Sequence, residues 1–131
     1  MPRYPAARDP RFHYSRSNVS VILTWRHIFT TLPGLKVLLY SGTEDIATNP
    51  SFLTQTCLHE LRDDRGNTTK NWSSWKVNNW HAGYVEYFER YAFATVQGAG
   101  HRVPENQPLA AVTMYERFIA SGSLDVPSPA A

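Results

Sequence analysis

Gly98-Ala99-Gly100-His101-Arg102-Val103-Pro104 closes the β-rich run from Tyr91 to Gln97, and upstream Tyr40-Ser41-Gly42-Thr43-Glu44-Asp45 closes a second apolar run. Leu35 to Tyr40 is apolar except for Lys36. Such a run suits a parallel strand covered on both faces, hence an α/β fold. Asp45 therefore sits just past a strand end, where open α/β sheets gather their functional groups. The small residues at 98–100 let the backbone turn tightly and carry the His101 imidazole over the sheet edge. A buried carboxylate fixes the tautomer of a histidine and stabilises its charged form. Asp45 as orienting acid and His101 as general base are thus the candidate catalytic residues.

Working outward from this pair, the pattern from Val19 is helical. Val21, Trp25, Ile28, Phe29 and Leu32 recur at three- and four-residue steps and predict one buried stripe. Ser17 or Asn18 can cap its start, and Pro33-Gly34 ends it. Asn49-Pro50 predicts a second helix, with Asn49 as cap and Pro50 at the first helical position. Leu53, Cys57 and Leu61 form its apolar stripe, which makes Cys57 a packing cysteine. That helix gives way at 63–66. Residues 64–81 are polar and tryptophan-rich and read as a surface excursion packed by its tryptophans, among them Trp80. Ala82–Phe88 and Tyr91–Gln97 read as an antiparallel pair, although Glu89-Arg90 is not a dipeptide that tight hairpins prefer. The last helix runs from Pro108 to about Ala120. Ala111, Val112, Tyr115, Phe118 and Ile119 line one face of it, with Gly122 as its C′ residue. Residues 1–18 read as an extended lead-in and 123–131 as a disordered tail.

At 131 residues the chain can bury one real core. Its 42% hydrophobic and 18% charged residues are those of a globular protein. The net charge of +2, with acids and bases interspersed, does not call for a nucleic-acid or membrane-surface partner. Cys57 is the lone cysteine, so no intrachain disulfide is possible. Sequons begin at Asn18, Asn67 and Asn71 and point to the secretory route. Met1 to Ser15 carries Arg3, Arg8 and Arg11 but no apolar core, so it is not expected to be a signal peptide. Any targeting signal is expected outside this sequence. No stretch of about 20 apolar residues predicts a membrane helix. No H-x-x-x-H, H-E-x-x-H or cysteine-rich spacing supports a metal site, and no cofactor is expected. His27 reads as partly buried and His59 as facing water. Lys70, Trp72, Trp75 and Lys76 interleave base and aromatic, for which a packed loop is the simpler reading than a nucleic-acid surface.

An acid after one strand and a histidine after the next is also how α/β-hydrolases complete a triad. Leu38-Leu39-Tyr40-Ser41-Gly42, Asp45, Trp80, Gly83-Tyr84 and Phe93-Ala94-Thr95-Val96 through Pro108 resemble the C-terminal end of a serine carboxypeptidase, over roughly residues 19–121. The family reads Y-S/A-G-D-x-D before the acid and G-A/G-G-H-M-V-P around the histidine. The resemblance implies the C-terminal part of an α/β-hydrolase fold over 19–122, a mostly parallel sheet flanked by helices and incomplete as it stands. It implies a hydrolase that releases C-terminal residues from peptides, usually at acidic pH, in a lysosomal, vacuolar or secreted setting. Asp45 then matches the triad acid and His101 the triad base. The family's G-E-S-Y-A-G nucleophile motif and its N-G-G-P-G motif are not in this sequence. The implied partners are a peptide substrate and an N-terminal polypeptide that carries the serine, and the chain alone is expected to be inactive. Three departures stand out. Thr43 replaces the first acid of G-D-x-D. Arg102 replaces the Met that helps line the substrate pocket, so Arg102 is a candidate substrate-binding residue. Tyr14-Ser15-Arg16-Ser17 lacks the family's cysteine ahead of the first helix. A non-catalytic remnant or binding module, and a carboxypeptidase-like acyltransferase, are the alternative readings.

Overall fold

The computed structural model describes residues 20–46, 48, 50–61 and 66–126. The order along the chain is α1 (Ile22–Thr31), β1 (Val37–Gly42), α2 (Ser51–His59), β2 (Thr68–Val77), β3 (Trp80–Phe88), β4 (Tyr91–Val96), α3 (Val103–Asn106) and α4 (Pro108–Ser121). The four strands form one sheet in the order β1-β4-β3-β2. Only β1 and β4 run parallel, in unbroken register from Val37↔Tyr91 to Gly42↔Val96. The other two pairings are antiparallel. The expected mostly parallel sheet is therefore a mixed one. Two-residue connections link β2 to β3 and β3 to β4 and can only join antiparallel neighbours. The parallel pair has the long crossover through α2 that it requires.

β4 is buried at all six positions, because both faces of the sheet are covered. On one face Ala92, Ala94 and Val96 pack with Leu38, Val85, Met114 and Leu124. On the other, Tyr91 and Phe93 pack with Ile22, Phe29, Leu58 and Leu61. α1 and α2 thus cover one side, and α3 and α4 the other. Each large apolar side chain fully removed from water contributes about 1.5–3 kcal/mol.

Residues 68–77 are not a surface excursion but the outer strand β2. Trp75 and Val77 alternate inward, and Trp75 is 2% exposed. Its indole N–H donates to the Thr95 carbonyl at 2.9 Å. A side chain at Gly83, whose φ is +150°, would collide with that carbonyl and with the indole, so glycine makes room for this bond. Asn78 and Asn79 both have positive φ, as a two-residue type I′ hairpin loop requires.

Helix rotation is where the expected stripes move. α1 faces the sheet with Ile22, Trp25 and Phe29, while Val21 and Leu32 flank it and stay exposed. Its N-cap is Val21, and Ser20 Oγ accepts the Ile22 N–H at 3.3 Å. The expected caps Ser17 and Asn18 lie outside the described residues. Leu58 of α2 and Leu61 just beyond it pack against the sheet, which turns Leu53 and Cys57 outward. Cys57 is thus exposed rather than packed. Pro50 stands at the N-cap and not at the first helical position, and Asn49 lies outside the described residues. His27 is exposed, as is His59. In α4, Ala111 and Met114 face inward, whereas Val112, Tyr115 and Ile119 are exposed. Gly122 closes α4 with φ +74°. Trp80, expected to pack, is 81% exposed beside the hairpin loop. The whole lead-in, 1–18, the 63–65 turn and residues 127–131 lie outside the described residues.

Candidate active site

β1 and β4 end side by side, and their following loops are bound together. The Thr43 N–H donates to the Val96 carbonyl at 3.0 Å, and the Glu44 N–H donates to the Ala99 carbonyl at 2.8 Å. In return, the Gly98 N–H donates to Thr43 Oγ1 at 2.9 Å. This close approach depends on Gly42. A β-carbon there would fall on the carbonyl oxygens of Ala99 and Gly100. From below, Ala99 and Val103 anchor the second loop in the core. Asn106 Oδ1 accepts the Gly100 N–H at 2.9 Å.

Held in this way, His101 Nδ1 lies 3.0 Å from Asp45 Oδ2. The two partners differ sharply in exposure. The Asp45 side chain is 5% exposed and the His101 side chain 59%. Asp45 Oδ1 accepts the Thr48 N–H at 3.0 Å, which fixes the carboxylate plane. Opposite an ionised Asp45, Nδ1 is the nitrogen that carries the proton, and it donates to the carboxylate. Nε2 is then a free base on the outward side of the ring. Such a pair can take a proton from a hydroxyl brought to Nε2 and return it to a leaving group. Solvent reaches the imidazole but hardly the acid, so the carboxylate remains the fixed member.

A hollow of about 440 Å³ opens beside Asp45, bordered by Phe52, Gln55, Trp72, Tyr84 and Thr95. Trp72 stacks on both Tyr84 and Phe93, with centroids 5.9 Å apart in each case. Lys70 and Trp72 thus belong to a strand, with Lys70 paired to Asp125 at 2.7 Å. Arg102 follows the base at the N-cap of α3 and does not border that hollow. Its guanidinium pairs with Glu105 at 2.7 Å on an exposed surface, where such a pair contributes little stability. Glu44 is exposed and accepts from Thr43 Oγ1 at 3.4 Å. The structure therefore brings Asp45 and His101 together and leaves Arg102 as the chain neighbour of His101, paired with Glu105. The loop-tying roles of Gly42, Thr43 and Asn106 escaped sequence reasoning. For the first two, the available signals were a glycine and a hydroxyl three and two residues ahead of the acid. Among the described residues, no group of three or more His, Cys, Asp or Glu could hold a metal ion. Nor is any helix among them long and apolar enough to cross a membrane.

Fold and site together define an α/β protein that presents a carboxylate–imidazole pair at the C-terminal rim of two parallel strands. Residues 10–121 match the family model described as serine carboxypeptidase, and the chain belongs to that family. It is 32% identical over 102 residues to serine carboxypeptidase-like 20 of Arabidopsis thaliana, a match covering 75% of this chain and 19% of that protein. Over 125 residues it is 32% identical to serine carboxypeptidase-like 44 of the same plant, covering 92% of this chain and 25% of that protein. Serine carboxypeptidase 1 of Hordeum vulgare is 31% identical over 102 residues, 75% of this chain and 19% of that protein. The chain thus spans about a fifth to a quarter of the length of these relatives.

Proposed function

We propose that this chain is the C-terminal, acid–base portion of a serine-type carboxypeptidase with an α/β-hydrolase fold, which releases C-terminal amino acids from peptides. The reading rests above all on the 3.0 Å contact between His101 and a nearly buried Asp45, in a chain of this family. The nucleophilic serine comes from polypeptide outside this sequence. Its hydroxyl proton passes to Nε2 of His101 as the oxygen attacks the scissile carbonyl, and Asp45 stabilises the imidazolium that forms. His101 then protonates the leaving amine, and the reverse cycle with water frees the enzyme. Arg102, beside the base, contributes to side-chain preference at the scissile bond. The setting that fits this reading is lysosomal, vacuolar or secreted.

The test is peptide hydrolysis by this chain joined to a serine-bearing N-terminal polypeptide of the family. The expected result is release of single C-terminal amino acids at acidic pH, abolished by His101→Ala. Turnover that survives His101→Ala would sink the proposal. Acyl transfer in place of hydrolysis would move the chain to the acyltransferase reading. In the same assay, Arg102→Met is expected to change the ranking of peptides by their terminal side chains, read as kcat/KM ratios. An unchanged ranking removes Arg102 from the site.

A further inference from the structure

The end of the sheet opposite the acid–base pair collects charge that the fold leaves unbalanced. The register that pairs Val37 with Tyr91 sets Lys36 and Arg90 side by side, one residue ahead of the two parallel strands. A cavity of about 290 Å³ opens there, bordered by both of them and by Thr69, Lys70, Tyr87 and Ser123. The Lys36 ammonium lies over the end of α4, where a β-carbon on Gly122 would come within 2.6 Å of it. It donates to the Ser121 carbonyl at 3.3 Å, and Arg90 donates to the Pro33 carbonyl at 3.4 Å. Among the described residues neither cation meets a carboxylate. The two acids that border the cavity are committed already. Asp125 gives one oxygen to Lys70 at 2.7 Å and the other to the Ser123 hydroxyl at 3.1 Å. Glu89 accepts from the Asn67 amide at 3.0 Å. Lys70, so neutralised, lies 5.7 Å from the Tyr87 ring centroid. An ammonium has three donors and a guanidinium five, so Lys36 and Arg90 keep most of theirs for an acceptor that the described residues do not supply.

We propose that this cavity binds a tetrahedral oxyanion, phosphate or sulfate, free or as a small monoester. Two unneutralised cations match two negative charges, and a phosphate monoester carries about −1.5 to −2 near neutral pH. A carboxylate brings only one. The planar fork of Arg90 fits two oxygens of one anion, while Lys36 acts on it as a point charge. The hydroxyls of Ser123 and Tyr87, 3.2 Å apart, stand at the border of the same space. The cavity is several times larger than the roughly 30 Å³ that one water claims in the liquid, which leaves room for a small polar group attached to the anion. None of these residues touches the loops that carry Asp45 and His101, which follow the other ends of the same two strands. Binding here requires neither a serine nor a peptide, so it stands or falls apart from the proposed catalytic function.

The experiment titrates the 131-residue chain at low ionic strength with inorganic phosphate, inorganic sulfate, glycerol 3-phosphate and acetate, and follows backbone amide shifts by NMR. The expected result is a saturable shift at Lys36, Val37, Arg90, Tyr91 and Ser123 with phosphate or sulfate, and acetate binding about tenfold weaker or more. Equal affinity for inorganic phosphate and the glycerol ester assigns the site to the free anion. Tighter binding of the ester, with added shifts at Thr69 and Lys70, assigns it to an attached one. Lys36→Met and Arg90→Met should each weaken phosphate binding about tenfold or more. Arg90→Lys, which keeps the charge but not the fork, should recover part of that loss. Lys76→Met, an exposed cation on the β2–β3 hairpin, should change affinity by less than about twofold. The shift map of the unaltered chain decides the matter even where a Met variant fails to fold. Four results overturn the proposal: no saturable shift with any oxyanion, shifts spread evenly over the surface lysines (an adventitious ion only), phosphate affinity indifferent to both Met variants, or acetate bound as tightly as phosphate.

Discussion

At the scale of single residues, the site depends on how closely two loops approach. Gly42 lies against the backbone of Ala99 and Gly100 with no room for a methyl group. Backbone cannot rotate away as a flexible side chain can, so Gly42→Ala must push the two loops apart. The expected outcome is a folded chain whose His101 ring no longer meets Asp45. Loss of the downfield imidazole proton resonance by NMR, with the sheet signals retained, is the check. Asp45→Asn keeps the shape but offers an amide to Nδ1 and favours the wrong tautomer. In the assembled enzyme, kcat should fall by a factor on the order of 10⁴ with KM little changed, by comparison with the best-studied triad. Near-normal turnover would remove Asp45 from the role.

At the scale of elements, β2 is the strand with most to lose from one substitution. Trp75 is 2% exposed, fills the space that Gly83 leaves, and joins β2 to the Thr95 carbonyl of β4 across β3. Trp75→Ala leaves a cavity and an unpaired carbonyl, and should cost about 3–5 kcal/mol in urea unfolding. A cost below about 1 kcal/mol would show that the hairpin is dispensable to the core. This strand was also the least legible in the sequence. Thr68 to Trp72 lacks a clean period because register shifts interrupt the ladder. The alternation at Ser73, Trp75 and Val77 and the Asn78-Asn79 loop were readable signs that the polar composition masked. β1, β3 and β4 were legible because they are apolar runs bounded by turn residues. Helices α1, α2 and α4 were legible in extent but not in rotation. A three- and four-residue spacing defines two neighbouring stripes equally well, and tertiary packing chose the stripes through Ile22, Leu58 and Met114. That Asp45 and His101 lie near each other was legible because each sits in the loop that follows a strand. The ties through Thr43 and Asn106 were not, since hydrogen bonds between loops leave no period.

At the scale of the whole molecule, Val112, Tyr115 and Ile119 on one face of α4 are exposed to water, and the imidazole itself is largely exposed. In the proposed reading the nucleophile comes from another polypeptide, which leaves the acid–base pair nothing to activate but water. The chain alone is therefore expected not to hydrolyse blocked dipeptides. Activity that survives purification to homogeneity and vanishes in His101→Ala would contradict this. The same open surfaces should make the isolated chain bind a hydrophobic dye such as ANS more strongly than a closed domain of its size. Val112→Lys together with Ile119→Lys should reduce that signal.

The pairing of Val37 with Tyr91 carries a cost in time. β2, β3 and β4 meet through two-residue links, whereas β1 must wait for a partner more than fifty residues downstream, and distant pairing is slow because chain entropy is lost before contacts repay it. The meander should therefore form first, and β1 should then zip onto a ready-made template. In pulse-labelled refolding, β3 and β4 amides should gain protection before those of β1. The contact between Asp45 and His101 at the rim is then the last part of this chain to form, and a molecule caught before that step has an ordered meander in which the imidazole still lacks its carboxylate.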